Sequence, residues 1–169
     1  PDRAVTAGHC VDHLLPGDPA SELRFANGAV AVDRVTLHPD HFAAAEADVA
    51  VLWLMGTANV EPMTPRTDPP DEDWDLWSLQ VAGWGITGPE GVDGGAALRT
   101  FGALPEDLTE TGLYWDAEQA WVCGGDSGGA VLRDTDDGAE LVGIVLGGAP
   151  DCDGPGEGLR LDAFARFLA

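Results

Sequence analysis

Basic residues are scarce in this sequence: 8 Lys and Arg stand against 30 Asp and Glu, a formal net charge of −22. Such a surface repels a phosphate backbone and offers few cationic contacts, so nucleic acid is not expected as a partner. No apolar run reaches the length of a membrane span, and no membrane partner is expected either. Internal repeats are absent. No stretch has the ordered oxygen spacing of a calcium loop, so neither a metal nor a cofactor is expected. The three cysteines are an odd count, open to two readings: one bridge with a lone thiol, or three reduced and buried thiols.

What is present suits short strands joined by many turns. Hydrophobic residues make up 44% of the 169 positions, with 23 glycines and 12 prolines among them. That length can bury a real core in one or two small domains. The acids are spread over predicted loops, with clusters at Asp68, Asp71, Glu72, Asp73 and Asp75 and at Asp134, Asp136 and Asp137. A solvated surface is the simple reading. Adaptation to high salt, where screening removes the self-repulsion, is the sharper one.

Along the chain, Arg3 to Thr6 reads as the end of a strand and Ala7 to His13 as a short helical turn holding His9. Strands are expected at Glu22 to Ala26 and at Ala29 to Leu37, with Asn27-Gly28 between them as a hairpin signal. An apolar strand follows in Asp48-Val49-Ala50-Val51-Leu52-Trp53-Leu54. Residues 61–77, rich in proline and acid and without periodicity, read as a connection. A second β unit opens at Leu79-Gln80-Val81-Ala82-Gly83-Trp84-Gly85. It continues through a glycine-rich loop at Pro89 to Gly95 and a strand near Leu98 to Leu104. Two more strands, Ala130 to Leu132 and Glu140 to Val145, are joined by Asp136-Asp137-Gly138, a hairpin turn. Leu161 to Leu168 has helical spacing, with Asp162 placed as an N-cap.

The chemical centre is Cys123-Gly124-Gly125-Asp126-Ser127-Gly128-Gly129. A serine hydroxyl needs a base, an orienter for that base, and donors aimed at the oxygen that turns negative during acyl transfer. Glycines on both sides let a backbone approach a substrate closely. Taken alone, the stretch could be a tight turn between strands. Upstream, however, Thr6-Ala7-Gly8-His9-Cys10 supplies a histidine and Asp48 stands at the mouth of an apolar strand. The order His, Asp, Ser is that of the chymotrypsin arrangement and not of subtilisin or the α/β-hydrolases. On these three motifs the sequence resembles the trypsin/chymotrypsin family of serine peptidases.

The resemblance implies an all-β fold: two antiparallel β-barrels of the chymotrypsin type and a short C-terminal helix. The catalytic groups would meet between the barrels. Residues 1–60 would be the remainder of the first barrel, 61–78 the connection, 79–160 the second barrel and 161–169 the helix. The first barrel is expected to be incomplete at its amino end, because a chain opening at Pro1 leaves no room for the strands that precede the histidine motif. His9 would be the general base, Asp48 its orienter and Ser127 the nucleophile, with the N–H groups of Gly125 and Ser127 as the oxyanion hole. A bridge between Cys123 and Cys152 would brace the specificity pocket, leaving Cys10 without its usual upstream partner. That bridge implies an oxidising compartment and hence secretion. The substrate would be a polypeptide cleaved through an acyl-enzyme, a protein inhibitor is a further partner the resemblance allows, and a monomer is expected. His13, His38 and His41 are read as surface or filler histidines.

Several residues depart from the family pattern. Trp121 stands where trypsins carry the aspartate that meets Lys or Arg, so a basic preference is not supported. A ring pointing inward would suit a small apolar side chain, and one pointing outward would leave the pocket open. Gly147, Gly148 and Gly156 match positions that line the pocket. Leu146 replaces a serine that donates to the catalytic aspartate, and Gly147 replaces a tryptophan that helps bind substrate backbone. Asp126 matches an aspartate that pairs, buried, with an amine terminus freed by cleavage. With no such terminus ahead of His9, Asp126 is expected to be a costly unpaired carboxylate and the chain to be weakly active or inactive. The alternative function is a protease-like binding or regulatory domain without turnover.

Overall fold

The computed structural model describes residues 1–14, 21–87, 97–116, 122–149 and 151–169. The expected loop at Pro89 to Gly95 and the side chain of Trp121 lie outside them. The chain divides into two compact units, Pro1–Met63 and Thr64–Phe167.

In the first unit, β1 (Arg3–Ala7), β2 (Glu22–Phe25), β3 (Gly28–Leu37) and β4 (Val49–Leu54) form an antiparallel sheet in the order β1-β4-β3-β2. The apolar run places β4 at the centre: Val49, Ala50, Val51 and Leu52 are all buried. Val11, Val32, Ala50 and Leu52 form the core, with Leu23, Val35, Leu37 and Leu54 packed against it. Full burial of a large apolar side chain such as Leu52 contributes roughly 1.5–3 kcal/mol. The hairpin between β2 and β3 pairs Phe25 with Gly28, so its turn is Ala26-Asn27, one residue earlier than the Asn27-Gly28 expected. Gly28, with φ +140°, instead opens β3.

The second unit contains β5 (Leu79–Gly83), β6 (Arg99–Ala103), β7 (Pro105–Leu108), β8 (Gly112–Trp115), β9 (Ala130–Thr135), β10 (Gly138–Gly147) and β11 (Gly156–Arg160). They form one antiparallel sheet in the order β6-β5-β9-β10-β11-β8-β7. Register shifts at Leu141/Gly143 and Val145/Gly147 interrupt the pairing of β10 with its two neighbours. Its core holds Trp77, Leu79, Val81, Leu113, Trp115, Val131, Val142 and Val145 among others. The β9–β10 hairpin turns at Asp136-Asp137 with Thr135 opposite Gly138, as the sequence suggested.

β7, β8 and β11 were not legible in the sequence. Pro105-Glu106-Asp107-Leu108 and Gly156-Glu157-Gly158-Leu159-Arg160 have little β-propensity of their own, and their partners hold them extended. The carboxy-terminal segment is a 3₁₀ turn, Asp162–Phe164, followed by α1 (Ala165–Leu168). Asp162 does not act as the N-cap. Its carboxylate accepts from Arg160 Nη2 at 2.7 Å and Nε at 3.2 Å, a paired charge outcompeting a backbone amide for the same oxygens.

The segment read as a plain connection carries an ionic cluster. Arg66 and Arg133 both lie over the Trp77 ring, 5.4 and 4.4 Å from its centroid. Arg66 Nη1 donates to Glu140 at 3.1 Å, and Arg133 Nη1 to Asp71 at 3.1 Å. The Trp77 indole N–H donates to Asp71 Oδ1 at 2.9 Å and, with help from Arg133 and Arg66, holds that carboxyl below its ordinary value of 3.8. A depressed folded pKa means stability present above the unfolded value and lost as pH falls through the folded one. Melting curves are therefore expected to show a drop below pH 3.8 that is shallower in Asp71→Asn. Equal slopes would remove Asp71 from the acid response.

Candidate functional site

The sheet register brings His9 and Asp48 together. β1 and β4 pair with Ala7 opposite Val49, so the residue after one strand meets the residue before the other. Gly8 N donates to the Asp48 carbonyl at 3.1 Å, and the chain then turns through a 3₁₀ helix, Gly8–Cys10, that carries the His9 ring. His9 Nδ1 lies 2.5 Å from Asp48 Oδ2, and His9 N donates to Asp48 Oδ1 at 2.7 Å. The carboxylate is thus held by ring and backbone of the same residue. An ionised carboxylate accepts only, so Nδ1 carries the proton and Nε2 is left as the basic nitrogen.

His41, read from sequence as a filler, is part of this arrangement. β3 ends beside the start of β4, and the loop that follows, with His38 N on the Val49 carbonyl, folds back over Asp48. His41 Nδ1 sits 3.2 Å from Asp48 Oδ1 and its Nε2 3.7 Å from Asp12 Oδ2, with a side chain only 7% exposed. Its Nδ1 makes no hydrogen bond, so its contribution is close packing of a polar ring against the Asp48 carboxylate. A Cβ on Gly8 would stand 2.5 Å from His41 Nδ1 and 2.8 Å from Asp48 Oδ1, so only glycine leaves room for this packing. No spacing in the sequence announces it, because the contact depends on how a loop folds back. Cys10, next to His9, is outside any disulfide. Burial, then the Asp48 charge, pushes its thiol pKa up.

Ser127 lies in the second unit, in a turn held from three sides. Cys123 and Cys152 are joined in a disulfide, the pairing the resemblance implied. Gly128 N donates to the Val145 carbonyl at 2.8 Å, and Val145 N to the Gly129 carbonyl at 2.9 Å, fastening the turn to β10. Ile86 N donates to the Gly124 carbonyl at 3.0 Å, fastening it to the segment after β5. Gly125 and Gly128 adopt φ of +92° and +79°, which side-chain-bearing residues resist. The Ser127 hydroxyl donates to the Leu146 carbonyl at 2.8 Å. This backbone contact is distinct from the side-chain hydroxyl, missing at Leu146, that the resemblance places on the catalytic aspartate.

Asp126 departs most from expectation. It is 1% exposed, as anticipated, but it is not an unpaired carboxylate. Arg99 Nη2 donates to Oδ2 at 2.8 Å, Cys123 N to Oδ2 at 3.0 Å and Gly85 N to Oδ1 at 2.7 Å. Sequence reasoning missed the cation because Arg99 stands 27 residues away and becomes a neighbour only through strand pairing. The signal available was Gly83-Trp84-Gly85: a Cβ on either glycine would overlap the Asp126 carboxylate.

The expected pocket glycines have different surroundings. Gly147 faces open space, Gly148 stands 3.1 Å by its virtual Cβ from Val122, and a Cβ at Gly156 would overlap the Trp115 indole. Gly156 thus makes room for a buried tryptophan on β8, which pairs with it directly. Among the described residues no group of three or more His, Cys, Asp or Glu could hold a metal ion, and no helix is long and apolar enough to cross a membrane.

Two antiparallel sheets and one short C-terminal helix are the frame of the chymotrypsin-type fold, the class to which the chain belongs. The family model described as Trypsin matches residues 1–167. The chain belongs to the trypsin family and is a trypsin-like serine protease. No curated protein matches it.

Proposed function

We propose that this chain is a serine endopeptidase that cleaves polypeptides through Ser127, His9 and Asp48 by way of an acyl-enzyme. The observation that carries the reading is the seating of His9 on Asp48, which leaves Nε2 basic on a ring 46% exposed. Ser127 Oγ attacks the scissile carbonyl carbon while its proton passes to His9 Nε2. The carbonyl π electrons move to oxygen, and the N–H groups of Gly125 and Ser127 receive the oxyanion. Collapse breaks the C–N bond, and the leaving amine takes the proton from His9. Water then repeats the sequence on the ester and frees Ser127.

Asp48 holds the productive tautomer and offsets the imidazolium charge, and His41 packs against it. A non-basic residue on the acyl side of the cleaved bond is the preference we assign, since Trp121 supplies no carboxylate for Lys or Arg. The Cys123–Cys152 bridge suits a secreted protein.

A fluorophosphonate probe reacts with activated serines without presuming a pocket preference. The expected result is labelling of the folded protein that disappears on replacing Ser127 or His9. A folded protein that takes no label would favour the binding-domain reading, toward which Trp121, the missing Leu146 hydroxyl and Gly147 point.

A further inference from the structure

We propose that Arg99 is the built-in counter-ion of Asp126, and that it orders the Ser127 turn without any amine terminus. The inference rests on the reading of Ser127 as nucleophile. Asp126 lies between the disulfide cysteine Cys123 and Ser127 and is almost wholly removed from water. A lone carboxylate there would take up a proton or swing out toward solvent, and the turn would follow it.

Three donors prevent this. The amides of Cys123 and Gly85 take one oxygen each, and Arg99 adds the only positive charge the described residues place on this carboxylate. The same turn closes on itself, with Asp126 N donating to the Cys123 carbonyl at 3.1 Å and Gly129 N to the Asp126 carbonyl at 2.9 Å. Moving the carboxylate therefore moves the amides of Gly125 and Ser127, the donors read as the oxyanion hole.

The position of Arg99 is set by the sheet. It pairs with Gly83 across β5 and β6, and the missing side chain of Gly83 leaves the space into which the Asp126 carboxylate fits. The guanidinium is 23% exposed and reaches with one nitrogen, so it spans from the surface to a buried charge. With both carboxylate oxygens already engaged, an incoming ammonium group would have to displace Arg99. Arg99 is thus a positioning residue for the acylation step and touches no substrate.

The test uses the rate of fluorophosphonate labelling, resolved into the maximal rate and the probe concentration giving half of it. Arg99→Gln is expected to lower the maximal rate about 10²-fold, the scale of losing one oxyanion donor, while leaving half-saturation nearly unchanged. Arg99→Lys, which restores a charge, should recover most of the loss. The double variant Arg99→Gln with Asp126→Asn should label faster than Arg99→Gln alone, because no buried charge is then left uncompensated. Blocking the amino terminus with an upstream tag should leave the wild-type rate unchanged.

A wild-type rate in Arg99→Gln would overturn the proposal, as would a double variant no faster than the single or a tagged protein that loses its activity. Should Arg99→Gln fail to fold, the tagged wild type still decides, since loss of its labelling would overturn the proposal and an unchanged rate would support it. A wild type that never labels would instead overturn the nucleophile reading, and this inference with it.

Discussion

Ser127→Ala, His9→Ala and the double variant are expected to lose about the same turnover, on the order of 10⁶-fold each. The reason is chemical. A serine hydroxyl is mostly un-ionised at neutral pH and attacks a carbonyl usefully only as its proton leaves. Without His9 the hydroxyl has no base to take its proton, and without Ser127 the imidazole has no serine proton to take. The second loss therefore finds nothing left to remove. What survives in all three should be the modest acceleration from Gly125 and Ser127 amides, roughly 10³–10⁴ over water.

The experiment carries particular weight here because His9 and Ser127 belong to different compact units. Two independent sites would give losses that multiply in the double variant. Two parts of one machine give losses that do not. Turnover of an unfolded protein substrate by the three variants, at matched folded concentration, measures the difference. Multiplying losses would separate His9 from the chemistry of Ser127.

Asp48→Asn is expected to lower turnover about 10⁴-fold with little loss of stability. Both oxygens of Asp48 accept: Oδ2 from His9 Nδ1, and Oδ1 from His9 N. An asparagine amide can satisfy only one of these. If its NH₂ faces the ring, Nδ1 must become the acceptor, the proton moves to Nε2, and the base that should take the serine proton is already protonated. If its NH₂ faces the backbone amide of His9, two donors oppose each other and His9 shifts. In neither orientation is the imidazolium charge offset. The His41 ring, 3.2 Å from Oδ1, leaves the amide little room to turn away. Turnover measured beside a melting curve separates the outcomes: full activity in Asp48→Asn would mean that Asp48 only packs, and a collapsed melt would mean that the loss is structural.

Much of the candidate site was legible because it is local. Ser127 among glycines, His9 after an apolar strand and Asp48 before one are each contained within a few residues. The apolar Val49-Ala50-Val51-Leu52 run declared a buried strand, and the hairpin at Asp136-Asp137 declared a turn. Where sequence reading went astray, a competing partner took the group or the position that had been assigned. Asp162 looked like a helix cap until Arg160 claimed its carboxylate, and the expected Asn27-Gly28 turn was displaced to Ala26-Asn27 by the pairing of Phe25 with Gly28.

The sequence by itself determined the class of chemistry: three reactive residue types in an order and setting that suit a nucleophilic serine, on a chain too rich in glycine, proline and short apolar runs for a helical bundle. Tertiary structure alone decided the surroundings that set how those residues behave. It placed His41 over Asp48, packed Trp115 into the space beside Gly156, and gave the buried Asp126 the charge of Arg99. The physical reason is the same in each case. Charge pairing and close packing act over a few ångströms in space, whatever the distance along the chain, and strand register and the path of the loops decide which distant residues come that near.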